Sequence, residues 1–250
     1  HGATDDTPQK RLKPGMSPSG EPGAVVGSAG ATGVWAEANT REAIFDAMKR
    51  KEVFGTSGPL IRLRFFGGWD YPKNLVEKKN FVETAYKKGV PMGSDLPKKT
   101  GKAPTFAVRA LKDPESGNLD RIQIVKGFIN KWGRTDEKIY DVAWSDDRKP
   151  DPKTGKLSSV GNTVDVNKAT YTNDIGDTQL SAVWTDPDFD PAQRAVYYVR
   201  VLEIPTPRWT TYDASRNNLP LPTDVPASIQ ERAWSSPIWY TPAAMKTAKK

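Results

Sequence analysis

The single histidine is the residue whose chemistry is easiest to bound. His1 heads the 250-residue sequence, which contains no cysteine. A Ser-His-Asp triad would need this histidine as its base, yet no serine in a nucleophile-elbow motif lies near it. The absence of cysteine excludes thiolate nucleophiles, thiolate metal ligands and disulfides. For His1, a solvated chain end and a metal-ligating side chain both stay open on the residues alone.

Two arginines beside tryptophans form the most distinctive polar clusters. Arg208 directly precedes Trp209, and Arg232 lies two residues before Trp234. An arginine in such a setting holds an anionic substrate group with its planar fork, or it forms an internal ion pair or cation–π contact. The first interpretation makes Arg208, Trp209 and Arg232 candidate substrate-binding residues, and the second makes them structural.

Alternating carboxylates occur at Asp186, Asp188 and Asp190. An EF-hand loop begins with this spacing, but it also needs glycine at its sixth position and glutamate at its twelfth. Counted from Asp186, those positions hold Pro191 and Tyr197. The sequence therefore favours a strand-connecting turn over a calcium site.

Aromatic residues are numerous, with eight each of tryptophan, tyrosine and phenylalanine. Most tryptophans lie in or beside strand-like segments, where packing in a β-sandwich core is the ordinary role. Two or three of them exposed in line would instead form a stacking platform for sugars. A noncatalytic carbohydrate- or polymer-binding module is therefore an alternative function.

The stretch from residue 39 to residue 70 predicts the elements that must position these side chains. Asn39 and Glu42 have the spacing of a capping box at the start of a helix. Gly55 suits the left-handed position that ends a helix. Three apolar residues share one face of that helix, namely Ile44, Phe45 and Met48. From Ile61 onward apolar residues alternate, which predicts a strand with one face in a core.

The rest of the chain is predicted to be mainly β. A second helix is expected over 74–88, ended by Gly89. Later segments alternate apolar and polar residues, and turn residues separate them. The residues predicted to lie in the core are Ile61, Leu63, Ile122, Ile124, Val199 and Val201. The expected fold is an antiparallel β-sandwich preceded by a long loop and a short helical segment.

Charge and hydropathy exclude two classes of partner. The chain has 37 lysines and arginines against 30 aspartates and glutamates, a formal net charge of +7. The basic residues are scattered, and no phosphate-binding loop or RNA-binding signature accompanies them, so no nucleic-acid partner is expected. No apolar run approaches the roughly 18 residues of a transmembrane helix, so no membrane span is expected.

Several motifs together resemble the domain of unknown function 3604 family. They are the 39–70 stretch, Gly-Val-Pro-Met-Gly at 89–93, Asp-Arg-Ile-Gln-Ile-Val-Lys-Gly at 120–127, Val-Trp-Thr-Asp-Pro-Asp-Phe-Asp at 183–190, and the two arginine-tryptophan clusters. Members look like metal-dependent hydrolases of the polymerase-and-histidinol-phosphatase type with a C-terminal β-sandwich. The resemblance implies that this chain is the C-terminal portion of such a hydrolase, whose substrate is a small molecule of the ester or phosphoester class.

The resemblance also implies a role for His1. Hydrolases of this type commonly place a histidine in a late Asp-x-His motif, so His1 would be a metal ligand with the matching aspartate upstream. The implied cofactor of the full-length parent is a divalent metal, zinc or manganese. This chain alone is then expected to bind no metal and to be inactive. Family members are often exported, which implies a periplasmic or secreted protein.

Under this interpretation the chain divides near residue 58. Residues 1–34 are rich in glycine, proline, serine and threonine and are predicted to form a long loop. Residues 1–58 would complete or cover the absent N-terminal catalytic part, which is the expected partner. Residues 59–250 would form the β-sandwich, with a helical insertion near 74–88. The start at His1 suggests a processed or truncated product. A purely structural or assembly domain is the third alternative.

Overall fold

The computed structural model describes residues 7–13, 29–98 and 102–242. Strands make up most of its regular structure, as the sequence predicts. In chain order the elements are α1 (Pro8–Arg11), β1 (Ala31–Val34), α2 (Arg41–Lys49), β2 (Val53–Thr56), β3 (Arg62–Gly68), a 3₁₀ helix (Leu75–Glu77), α3 (Phe81–Lys88), β4 (Gly89–Pro91), β5 (Thr105–Leu111), β6 (Leu119–Ile129), β7 (Thr135–Trp144), β8 (Gln179–Thr185), β9 (Ala195–Pro207), α4 (Trp209–Arg216), β10 (Ser228–Ser235) and β11 (Ile238–Tyr240).

Two antiparallel sheets form a sandwich. The seven-stranded sheet has the order β1-β2-β10-β9-β6-β7, and β11 also pairs with β9. The four-stranded sheet has the order β4-β3-β5-β8. The rings of Phe106 on β5 and Tyr197 on β9 approach within 4.4 Å between centroids, which joins the two inner faces. The predicted fold class is therefore confirmed.

The core lies between the sheets and has the predicted composition. Ile61, Leu63, Ile122, Ile124, Val199 and Val201 are all fully buried in it. Their period-two spacing places them on the inner faces of β3, β6 and β9, apart from Ile61, which directly precedes β3. As its apolar sequence predicts, β9 is a central strand, between β10 and β6.

A second apolar cluster covers the outer face of the smaller sheet. Phe66 and Ala107 contribute from the sheet, and Leu75, Phe81 and Ala85 contribute from the helices above it. The helix predicted over 74–88 is divided into a 3₁₀ turn and α3, because residues 78–80 between them leave the helical pattern. The protein thus has a third, helical layer on this side.

The helix predicted after Asn39, α2, differs from its prediction at both ends. Its N-cap is Thr40 rather than Asn39, since the Thr40 hydroxyl accepts a hydrogen bond from the backbone N–H of Ala43. Gly55 does not end the helix. It lies inside β2 opposite Trp234, and Lys51 adopts the left-handed conformation instead. Strand pairing with β10 overrides the local preference of glycine at this position.

The segment before residue 58 contributes two strands to the larger sheet. β1 pairs with β2, and β2 pairs in turn with β10. The predicted division at residue 58 therefore falls between β2 of one sheet and β3 of the other. Much of the predicted long loop lies outside the described residues, but Pro8–Arg11 within it is helical. No helix in the described ranges is long and apolar enough to cross a bilayer.

Candidate functional site

The outer face of α2 is apolar and exposed. Phe45 and Met48 are 63% and 54% exposed, whereas Ala47 on the opposite side is fully buried. Residues three apart on a helix are neighbours, so the two exposed side chains form one continuous ridge. Ile44 lies beside this ridge, and the open space of about 740 Å³ next to it is lined, among the described residues, by α2 alone. We call Ile44, Phe45 and Met48 the α2 face.

Backbone contacts fix the direction in which the α2 face points. The N–H of Glu52 donates to the carbonyl of Ala47, and the N–H of Trp35 donates to the carbonyl of Glu52. Gly93 approaches the same corner so closely that a Cβ there would lie 2.3 Å from the Lys51 carbonyl oxygen. With φ at +88°, Gly93 also has a conformation that other residues rarely adopt. The corner after α2 therefore has little freedom to turn the α2 face inward.

The buried carboxylate of Glu52 adds side-chain contacts at this corner. Glu52 is 4% exposed and accepts a hydrogen bond from the Tyr86 hydroxyl. Arg64 donates to the Tyr86 oxygen at 3.2 Å, lies 3.7 Å from the Glu52 carboxylate and stacks 3.4 Å above the Trp35 ring. Arg50 lies 3.6 Å from the other Glu52 oxygen. We call these five residues the Glu52 cluster.

The electrostatics of the Glu52 cluster favour a structural role. Burial raises the pKa of Tyr86 to about 12, and the Glu52 carboxylate adds to the effect. Burial also lowers the pKa of Arg64 from its ordinary value, against the opposing influence of Tyr86 and Glu52. Tyr86 therefore stays protonated at neutral pH and keeps donating to Glu52. The cluster ties α3 and β3 to the segment that follows α2.

The predicted substrate-binding residues lie apart along the sheet. Arg208 is the N-cap residue of α4, and its N–H donates to the carbonyl of Ala227. Arg232 pairs with Leu202 in the ladder between β10 and β9. Arg232 lies five residues along the chain from Ala227, so roughly 16 Å of extended strand separates the two arginines. Their shared role in substrate binding stays a prediction.

Their individual surroundings differ as well. Arg208 is half-buried, and its Nε has no hydrogen-bond partner within the described ranges. Trp209 is half-buried at the first position of α4. The backbone of Arg232 exchanges hydrogen bonds with Ser57, whose N–H donates to the Arg232 carbonyl. His1 lies outside the described residues.

The aspartates at 186–190 form a turn that is anchored to the core. Asp186 is 1% exposed and accepts from the Lys126 ammonium at 2.6 Å and from the Tyr197 hydroxyl at 2.7 Å. The Asp188 N–H donates to the other Asp186 oxygen, as in an Asx turn. The carboxylate is thus committed to an ion pair, in agreement with the predicted strand-connecting turn.

Glu203 is an unusual residue that sequence reasoning missed. It is fully buried, with Oε2 accepting from the Ser116 hydroxyl at 2.7 Å and Oε1 without a hydrogen-bond partner in the described ranges. Its pKa is raised to about 8, chiefly by burial and also by the nearby carboxylates of Glu231 and Asp113, against the lowering influence of the Ser116 hydrogen bond. The signal was present in the sequence, because Glu203 continues the alternation of Val199 and Val201 on the inner face.

The described residues do not fit a metal centre. Over 7–13, 29–98 and 102–242 there is no group of three or more histidine, cysteine, aspartate or glutamate side chains that could hold a metal ion. We therefore derive no catalytic step from this part of the chain. The predicted ligand His1 lies outside these ranges, and its role as a ligand stays a prediction.

Comparison with known proteins gives one match. The model of the family described as "Protein of unknown function (DUF3604)" matches residues 1–242. No curated protein matches the chain, and no solved structure matches it. The family match spans both sheets, α2 and the segment that begins with His1.

Proposed function

Because this chain belongs to the DUF3604 family of proteins of unknown function, we propose that it is the C-terminal portion of a metal-dependent hydrolase of the ester or phosphoester class. In this proposal the β-sandwich is accessory and structural. The catalytic part lies N-terminal to it, supplies most of the metal ligands for zinc or manganese, and uses His1 as one of them. The observation that carries the proposal is the exposed apolar α2 face.

The α2 face has the properties of a preorganised docking surface. A helix normally turns its apolar face to the core, yet here Ala47 packs inward while Phe45 and Met48 point to solvent. The Glu52 cluster and Gly93 hold the helix in this orientation. Burying the exposed apolar surface against a partner would stabilise the complex, since full burial of such a side chain contributes about 1.5–3 kcal/mol.

The catalytic part is the occupant that the chain order favours. α2 belongs to the predicted N-terminal region, residues 1–58, and connects β1 and β2, the first two strands of the sandwich after the His1 segment. A catalytic part that provides the other ligands for a His1 metal site would be joined to the sandwich through this segment of the chain. Contact through the α2 face would join the two parts without involving either sheet.

Association in trans tests this proposal. We expect the 250-residue chain to bind the separately produced catalytic part of the full-length gene product. Phe45→Ala with Met48→Ala should weaken the affinity about 30-fold, because roughly half of each side chain is newly buried and about 2 kcal/mol is lost. Alanine preserves the helix, since it has the highest helix propensity.

Trp132→Ala is the matched control for this titration. Trp132 is also exposed, at 71%, but it lies in the turn between β6 and β7. The control should leave the affinity unchanged. An affinity that does not respond to the double variant, or that falls equally with the control, would contradict docking through the α2 face.

The proposal includes export of the protein to the periplasm or the cell exterior. Its support is the resemblance to exported family members. Fractionation of cells that express the full-length gene product tests it, with recovery in the periplasmic or extracellular fraction expected. Recovery in the cytosolic fraction would contradict it.

A further inference from the structure

An open cleft lies at the edge of the sandwich, beside β7, the edge strand of the larger sheet. It has a volume of about 620 Å³ and is lined by residues of β6, β7 and the 150–157 loop, with Trp184 of β8 at one end. This volume lies within the range of about 300–1,000 Å³ that is typical of small-molecule sites. The cleft shares no lining residue with the α2 face.

Aromatic rings form the walls of this cleft. Trp144, Tyr140 and Trp184 all line it and are half-buried. The Trp144 indole is held in place, because its Nε1 donates to the Arg148 carbonyl at 2.7 Å. The rings of Tyr140 and Trp184 lie 4.8 Å apart, and the Tyr140 hydroxyl donates to Asp188 at 2.7 Å. The walls are therefore fixed aromatic surfaces rather than mobile side chains.

The polar side chains at the floor of the cleft, Arg121, Gln123 and Asp141, are also held in place by hydrogen bonds within the protein. Asp141 accepts from Gln123 at 2.9 Å and from Arg121 at 3.4 Å. Arg121 in turn donates to Asp120, which is 1% exposed and also pairs with Arg148 at 2.7 Å. A buried carboxylate thus holds the guanidinium that forms part of the floor, as a built binding site requires.

The floor retains capacity for a ligand. Each Asp141 oxygen accepts one hydrogen bond from the protein, and a carboxylate offers about four acceptor positions. The charged lining residues are Arg121, Lys156 and Asp141, so two cations face one carboxylate. Lys156 is exposed, and its ammonium has no ion-pair partner in the described part of the chain. The cleft therefore offers acceptors for hydroxyl groups and one uncompensated positive charge.

We infer that this cleft binds an acidic saccharide, with a sugar ring against Trp144, ring hydroxyls on Asp141 and Gln123, and a sugar carboxylate on Lys156. A pyranose ring combines an apolar face with a hydroxyl rim, which matches aromatic walls over a polar floor. Single-stranded nucleic acid would also stack on aromatic rings, but it needs a row of cations along its backbone. One free lysine beside an aspartate does not provide such a row.

Titration with defined oligosaccharides tests this inference. The probes are trigalacturonate and the neutral maltotriose, each added to the ¹⁵N-labelled 250-residue chain and followed by nuclear magnetic resonance. We expect trigalacturonate to bind at least tenfold more tightly than maltotriose, with the Trp144 indole N–H signal among those that shift. Raising the salt concentration should reduce this preference, because it depends on charge.

Three variants make the result specific to the cleft. Trp144→Ala should weaken trigalacturonate binding at least tenfold, and Lys156→Gln should weaken it several-fold while leaving maltotriose binding unchanged. Lys156 is exposed, so Lys156→Gln keeps the test valid if the tryptophan variant fails to fold. Trp132→Ala is the control with an exposed tryptophan elsewhere and should bind as the unaltered protein does.

Several outcomes would overturn the inference. These are the absence of trigalacturonate binding, equal affinity for the two sugars, or unchanged affinity in Lys156→Gln. Binding of an oligothymidylate in preference to trigalacturonate would replace the saccharide by a nucleic acid. None of these outcomes depends on association with a catalytic part, so the inference and the proposed function fail independently.

Discussion

Replacing Glu203 by glutamine should change how the stability of the protein depends on pH. The folded protein keeps the Glu203 proton up to about pH 8, because burial raises the pKa to that value from 4.5. The unfolded chain loses the same proton near pH 4.5. Between these values the folded state binds more protons, so the free energy of unfolding falls as pH rises from about 4.5 to about 8.

The magnitude follows from the two pKa values. A difference of one pH unit corresponds to about 1.4 kcal/mol, so the full interval sets a ceiling of roughly 5 kcal/mol. The carboxylates of Asp113 and Glu231 and the ammonium of Lys112 also act on Glu203, so part of the interval depends on their charges. We expect a loss of a few kcal/mol in the wild-type protein between pH 5 and pH 8.

Urea unfolding at pH 5, 6, 7, 8 and 9 measures this dependence. Glu203→Gln removes the titrating group while keeping its shape and an acceptor for the Ser116 hydroxyl, so its stability should fall much less over the same range. An unsatisfied amide in the variant would lower stability equally at every pH and would not change the slope. Glu137→Gln, at an exposed position of β7, is the control and should follow the wild type.

Parallel stability curves for wild type and Glu203→Gln would refute the reasoning. They would show that Glu203 is already ionised in the folded protein at pH 6. A pH dependence that disappears equally in Glu137→Gln would assign the effect to general surface charge instead.

Three further predictions address the core, the buried ion pair and the metal. Ile124→Ala should lower the free energy of unfolding by about 2–5 kcal/mol, and a loss below about 0.5 kcal/mol in urea unfolding would contradict its burial. Lys126→Ala should lower the free energy of unfolding by about 3–5 kcal/mol, because it leaves Asp186 buried without a cation. The control Lys168→Ala, at an exposed position, should lower it by less than about 1 kcal/mol. Similar losses in the two variants would contradict this account. In the full-length gene product, His1→Ala should lower metal content after dialysis without lowering the melting temperature of the sandwich, and full occupancy would show that His1 is not a ligand.

The fold was predictable because it depends on local alternation. Ile122 and Ile124 alternate with polar neighbours, and this period of two determines which side of β6 is buried. The ends of α2 were less predictable, because Gly55 is glycine in a strand whose partner, Trp234, lies far along the chain. The sequence pattern identifies the apolar face of α2, but it does not tell whether that face meets this domain or another.

The buried polar contacts beside the cleft and in the 186–190 turn were less predictable, because they join residues that are far apart in the sequence. Asp120 contacts Arg148 and Gln230, and Lys126 contacts Asp186, across separations of 28 to 110 residues. Such pairs come together only when the sheets assemble. The arginines beside tryptophan are recognised by short-range spacing, whereas the cleft at Trp144 also needs Trp184 of β8, a strand of the other sheet.

Hydrogen–deuterium exchange of α2 tests the central claim most directly, since amides at a docked surface exchange more slowly. The measurement compares the 250-residue chain with the full-length gene product, using peptides that cover Arg41–Lys49 and, as an internal reference, the turn around Trp132. We predict that α2 exchanges substantially more slowly in the full-length protein, while the reference turn is unchanged. Equal exchange of α2 in the two proteins would contradict the proposal that this face meets the catalytic part.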